Sequence, residues 1–246
     1  MSLPKVVTEA EWLAARKQLL AEEKAMTRAR DALNTKRREL PMVEVEKDYV
    51  FEGPNGKAGL LDLFEGRRQL MVQHFMFDPS WDDGCPSCTA GSDEIPAGLL
   101  EHLHSRQTTL AVVSRAPLPK IEAYKARRGW SFPWYSSFGS DFNYDFHVTI
   151  DASVAPVMWN FRTLDELEPV GMGWLGEGAS EQPGYSVFLR DGDNVFHTYS
   201  MYARGAEMLG GSYYFLDLTA LGRQEEWEEP KDRVADARAS LPNFDT

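Results

Sequence analysis

Cys85 and Cys88 are the only two cysteines in 246 residues, and they form a Cys-Pro-Ser-Cys run just beyond an apolar stretch, Gln69 to Phe77. No other feature constrains the chain as much. Two intervening residues let the sulfurs close a disulfide. A helix that begins at the first cysteine aims backbone N–H groups at its sulfur and favours the thiolate. A strand that delivers such a pair, in a chain without further cysteines, reads as a redox dithiol. Structural zinc needs four ligands, and no second cysteine pair exists. His102 and His104 stand two apart on an expected helix and face different ways, so no metal is expected.

Composition narrows the setting. The chain is 43% hydrophobic, enough for a sizeable core, yet no stretch approaches the roughly 20 apolar residues of a membrane helix. Met1 to Val7 lacks an apolar signal core, so the expected compartment is the reducing cytoplasm, where a reversible disulfide is more at home than a structural one. A net charge of −12 argues against nucleic acid as a partner. The charge is uneven: residues 1–41 are basic and residues 217–246 acidic. This fits either two solvated faces or mutual attraction of the chain ends.

Hydrophobic spacing gives the order of elements. Thr8-Glu9-Ala10-Glu11 is a capping box, and Trp12, Leu13, Leu19, Leu20, Met26 and Leu33 form a thin apolar stripe. A helix is expected from about 9 to 38, ending before Pro41. Residues 43–51 read as a strand and 60–64 as a helical turn. Residues 69–77 and 108–114 are apolar enough to be strands buried on both faces. A helix is expected from Cys85 to about Arg106, and another from Leu118 to Arg128, closed by Gly129. Tyr185–Leu189 and Val195–Tyr199 flank Asp191-Gly192-Asp193 as a hairpin. The last helix falls at 203–209 or 217–222. Strand, helix, strand, helix and hairpin is the thioredoxin order. The expected fold is therefore α/β and thioredoxin-like, with a long N-terminal helix (1–41), a core over 42–222 and an acidic tail over 223–246. An insertion rich in glycine and aromatics, about 140–182, precedes the C-terminal β-hairpin.

Several blocks carry a resemblance. Phe75-Met76-Phe77-Asp78-Pro79 runs into Gly84-Cys85-Pro86-Ser87-Cys88. Val112-Val113-Ser114-Arg115-Ala116-Pro117 and Phe138 to Phe146 follow, then Tyr213 to Thr219 and Gly222 to Trp227. Together they resemble a bacterial thioredoxin-like family catalogued as a domain of unknown function, whose members are often described as predicted dithiol–disulfide oxidoreductases. Pro96 departs from an unbroken helix after Cys88, so that helix is expected to kink or restart near Ser92.

The expected catalytic residues are Cys85, as nucleophile at the helix start, and Cys88, less exposed, as resolving thiol. Pro86 suits the first helical turn. Trp81 shields the sulfur or plugs the core edge. Ser114 and Arg115 end the second strand, at the sheet edge where ligands bind, and Arg115 is a candidate to stabilise a thiolate or pair with a carboxylate. By analogy with thioredoxin-like folds, Pro183 is expected to be cis and to face the dithiol. His74 reads as a satisfied core residue. The aromatics from Trp130 to Phe146 read either as core or subunit interface, or as an apolar pocket.

The expected function is thiol–disulfide exchange without metal or organic cofactor. The partners are a protein or small-molecule disulfide and an external thiol reductant, with no nucleic acid and no membrane. A homodimer built on the N-terminal helix stripe is expected as well. The alternatives are a peroxiredoxin-like peroxide reductase and a non-catalytic thioredoxin-like binding or redox-sensing module.

Overall fold

The computed structural model describes residues 3–209, 211–231 and 234–237. The described chain forms two compact units, one comprising the chain through Pro41 together with that from Tyr214 onward, the other running from Met42 to Tyr213.

In the first unit, helix α1 spans Glu9–Arg38. Its capping box is formed: the Thr8 hydroxyl accepts from the Glu11 N–H, and the Glu11 carboxylate accepts from the Thr8 N–H at 2.9 Å. Lys36, Arg37 and Arg38 complement the dipole in the last turn. No residue of α1 is buried, and Trp12, Leu19, Met26 and Leu33 recur every seven residues along an uncovered stripe. The expected acidic tail, 223–246, is only partly described; residues 232–233 and 238–246 lie outside the described residues.

The second unit is built on an eight-stranded sheet. In chain order its elements are β1 (Val43–Glu44), β2 (Val50–Gly53), β3 (Gly56–Gly59), β4 (Gln69–His74), α2 (Pro86–Asp93), α3 (Ala97–His104), β5 (Thr108–Ser114), α4 (Leu118–Arg128) and β6 (Trp134–Ser136). Then come α5 (Phe142–Asp145), β7 (Thr149–Ile150), β8 (Met158–Trp159), β9 (Arg162–Thr163), α6 (Leu164–Leu167), β10 (Ser180–Glu181), β11 (Gly184–Asp191) and β12 (Asn194–Tyr202). The sheet order is β1-β12-β11-β4-β5-β6-β2-β3. β4, β5 and β6 are parallel, and β11 lies antiparallel to β4. This is the thioredoxin arrangement of a parallel βαβ pair and a following hairpin, extended by β6 and the β2–β3 hairpin at one edge.

Strand β5 shows why the centre is stable. Ala111 and Val113 pack into one apolar cluster, with Phe51, Leu70, Val72, Phe142 and Phe188. Leu110 and Val112 pack into the other, with Phe75, Phe77, Cys85, Ile121, Phe132 and Trp134. Successive side chains point to opposite faces, so a strand covered on both sides is apolar throughout.

Four expectations gain detail or change. The strand expected over 43–51 is two short pieces, β1 and β2. The insertion is structured: β10 pairs with β7, β8 with β9, and Ile150, Val157, Leu167 and Leu175 form a small core. The aromatic segment belongs mostly to the main core, with Phe132, Trp134 and Phe142 fully buried and Phe138 exposed. The last helix is neither expected span alone: 203–209 is a 3-10 helix, and α7 spans Gly211–Leu216. No helix among the described residues is long and apolar enough to cross a membrane.

Candidate functional site

The site is built where β4 runs out into α2. Beyond His74 the chain continues through the buried Phe75 and Phe77 into the loop 78–84. That loop is held by its own turn and by α4. Asp78 Oδ1 accepts from the Ser80 N–H at 2.8 Å and from its hydroxyl at 2.6 Å. Lys120 Nζ donates to the Pro79 and Trp81 carbonyls, each at 2.8 Å. Arg127, stacked over Tyr124, pairs with Asp83. Gly84 is required at the end of the loop, because a Cβ there would lie 2.5 Å from the Phe75 ring.

Cys85 is the N-cap of α2, with Pro86 in the first turn, where a missing N–H costs nothing. Its N–H donates to the Met76 carbonyl at 3.0 Å. Its own carbonyl accepts from the Thr89 N–H and from the Thr89 hydroxyl, both at 2.9 Å. Thr89 is in turn hydrogen-bonded to the Tyr124 hydroxyl at 2.8 Å. α2 ends at Asp93 and α3 begins after Pro96, so the break expected near Ser92 is there.

Cys85 and Cys88 are not joined in a disulfide. Solvent exposure does not distinguish them: Cys85 is 8% and Cys88 7% exposed. The expectation of a partly exposed Cys85 is corrected here, because both thiols sit in the apolar cluster of Phe75, Phe77 and Tyr124. Electrostatics separates them instead. The Cys85 thiol makes no cap hydrogen bond, but its thiolate faces the Cys88 S–H first, then the N–H groups of Cys88 and Ser87 and the Ser87 hydroxyl. The Ser87 hydroxyl has no other partner. These donors outweigh burial and bring the Cys85 pKa down to about 6. Cys88 moves the other way. Giving its proton to Cys85 and losing water both raise its pKa, against a single opposing hydrogen bond from the Met76 backbone.

The remaining sequence candidates are dispersed. Trp81 lies in the loop, 37% exposed. Ser114 is withdrawn as a substrate-facing group: it is fully buried, and its hydroxyl donates to the Phe75 carbonyl at 2.7 Å and accepts from Trp134 Nε1 at 3.0 Å. Arg115 is not among the groups acting on Cys85. It pairs with Glu181 at 3.1 Å, approaches Asp78 at 3.7 Å and covers the Tyr144 ring. The expected cis bond before Pro183 is corrected: among the described residues only Glu229–Pro230 is cis. The reason is the strand pairing on either side. Ser180 and Glu181 pair with Ile150 and Thr149, the Gln182 N–H donates to the Val148 carbonyl, and Gly184 opens β11 opposite His74, so the chain passes straight through.

His74 is only half satisfied. Its Nε2 meets Ser186 Oγ at 2.8 Å, whereas its buried Nδ1 has no partner. Ser186 continues to Ser200 and Ser200 to His197, each at 2.8 Å. No group of three or more His, Cys, Asp or Glu placed to hold a metal occurs among the described residues.

Sequence reasoning missed Thr89, Tyr124, Glu181, Gln73 and Tyr185 as parts of this site. The one available signal was polarity inside an apolar strand, where Gln73 and His74 end the run of β4.

Fold and site together define a thioredoxin-like α/β protein with a Cys-x-x-Cys at a helix N-terminus. Residues 1–240 match the family described as bacterial protein of unknown function DUF899, and the chain belongs to that family. Among solved structures it is similar to a PrxQ mutant from Xylella fastidiosa, at 13% identity and TM-score 0.40, over 65% of this chain and 84% of that one. It is also similar to the peroxidoxin BcpB from Mycobacterium tuberculosis, at 15% identity and TM-score 0.39, over 69% of this chain and 94% of that one. A third likeness is to the bacterioferritin comigratory protein of Xanthomonas campestris, at 13% identity and TM-score 0.39, over 65% and 87% of the two chains. No curated protein matches the chain.

Proposed function

We propose that the protein is a thiol–disulfide oxidoreductase, with Cys85 as nucleophile and Cys88 as resolving thiol. The observation that carries this reading is the place of the pair at the start of α2: Cys85 is the N-cap, Pro86 opens the first turn, and Cys88 lies buried within that turn. A helix start favours the thiolate at Cys85, as exchange chemistry needs, and the directions of the two pKa shifts, Cys85 down and Cys88 up, agree with it.

The Cys85 thiolate attacks a substrate disulfide. One sulfur–sulfur bond breaks, another forms to Cys85, and one substrate half leaves as thiolate. Cys88 then gives up its proton and attacks Cys85, the second half leaves, and that released proton accounts for one of the two product thiols. Two electrons have passed from the dithiol to the substrate. An external thiol reductant restores Cys85 and Cys88. Pro86 starts the helix, Trp81 stands on the exposed side of the loop, and Arg115 steadies that loop through Asp78. The chemistry calls on no metal or organic cofactor.

The test is trapping. Cys88→Ser should accumulate mixed disulfides through Cys85, with substrates of either protein or small-molecule type, and Cys85→Ser should accumulate none. Equal trapping by the two variants would overturn the assignment of roles. Rapid peroxide consumption with Cys85 oxidised to sulfenic acid, and no exchange with disulfides, would replace the reading with peroxide reduction.

A further inference from the structure

The resolving thiol rests on a polar patch that the exchange scheme leaves unexplained. Cys88 and Ser92 are one turn apart on α2, hence on one face of the helix, and both are buried. That face lies on the sheet where Gln73 of β4 sits directly opposite Tyr185 of β11. Directly opposed residues in an antiparallel pair present their side chains on the same face. Gln73 Nε2 donates to Ser92 Oγ at 3.2 Å, which fixes this face as the one beneath α2. Ser92 therefore stands over Gln73. Cys88, one turn toward the helix start, stands on the side where β4 ends and β11 begins, and its charge acts on Tyr185. The Met76 N–H, just past the end of β4, faces the Cys88 sulfur from the same end. Gln73 Oε1 is buried there without a partner. A buried acceptor without a donor costs free energy, and Tyr185 brings a hydroxyl to the same face.

Resting on the exchange reading above, we propose that Tyr185 serves the resolving step: its hydroxyl donates to the Cys88 sulfur as that sulfur becomes a thiolate, beside the Met76 N–H. The Cys88 proton leaves for solvent. The Cys88–Cys85 bond forms as the bond from Cys85 to substrate breaks, and the electron pair departs on the substrate sulfur. When the disulfide has closed and the charge is gone, Gln73 Oε1 is the other acceptor on the same face. Burial and the nearby Cys88 both keep the phenol protonated, so it is a donor at every physiological pH.

The experiment uses the full-length reduced protein and one equivalent of 5,5′-dithiobis(2-nitrobenzoate). The first release of chromophore reports attack by Cys85 and the second reports resolution by Cys88, both followed against pH by stopped flow. In Tyr185→Phe the second release should slow about tenfold, the worth of one hydrogen bond to a charged group, and its pH midpoint should rise. An unchanged second phase, or a slower one whose midpoint stays put, would overturn the role of Tyr185 while leaving exchange intact. A wild-type protein with no second release overturns both readings. Should Tyr185→Phe fail to fold, 3-fluorotyrosine at 185 keeps the shape and supplies a more acidic phenol. The midpoint should then fall, and an unmoved midpoint would equally overturn the proposal.

Discussion

Arg115 meets Glu181 at 3.1 Å, and burial still wins over the pairing. Glu181 is 7% exposed, and both of its carboxylate oxygens accept from Thr149 Oγ1 at 3.0 Å. Loss of water raises its pKa to about 7 from 4.5 despite the guanidinium. The folded state thus holds this proton more tightly than the unfolded chain does. Its contribution to stability is full below pH 4.5 and is lost as pH rises through 7, by at most about 3 kcal/mol. Glu181→Gln should remove that loss. Denaturant unfolding from pH 4.5 to 8 should show the variant gaining on the wild type as pH rises, and parallel curves would contradict the prediction.

Iodoacetamide should label Cys85 with a midpoint near pH 6. The largest support for that thiolate is the Cys88 S–H, so Cys88→Ala should move the midpoint upward. Mass-resolved labelling across pH reads this directly. A midpoint for Cys85 near 8.5, the ordinary free-thiol value, would show that the helix start does not activate it.

Gly84→Ala places a methyl group against the Phe75 ring and pushes on the residue before Cys85. Overpacking of this kind costs roughly 1–3 kcal/mol. The variant should unfold at lower denaturant and label more slowly at Cys85 at pH 7. Wild-type behaviour in both would mean that Phe75 yields freely.

The uncovered stripe of α1, with Trp12, Leu19, Met26 and Leu33 exposed, is the basis for expecting self-association. Light scattering at micromolar concentration should report a homodimer for the full chain and a monomer for a Met26→Lys, Leu33→Lys variant. A monomeric wild type would refute it.

Local features were legible and distant pairings were not. The capping box of α1, the stop at Pro96 and the N-cap at Cys85 each depend on a few adjacent residues, and each is where the pattern put it. β6 was missed because Trp134–Ser136 is three residues of a crowded aromatic run, too short for a period to show. Pro183 was assigned by analogy, and the analogy failed because β10 and its ladder with β7, absent from the thioredoxin pattern, carry the backbone straight into β11. Gln73 and Tyr185 are 112 positions apart, and their adjacency follows from the register of β4 against β11, which nothing local records.

The opposed pKa shifts of the two sulfurs also have an electrochemical meaning. Between the pKa of Cys85 and that of Cys88 the reduced protein holds one proton on two sulfurs, so forming the disulfide releases two electrons and a single proton. In that range the midpoint potential should fall by about 30 mV per pH unit, and below pH 6, where both thiols are protonated, by about 59 mV. The break in that slope marks the point at which the dithiol ceases to be an even trade of protons for electrons.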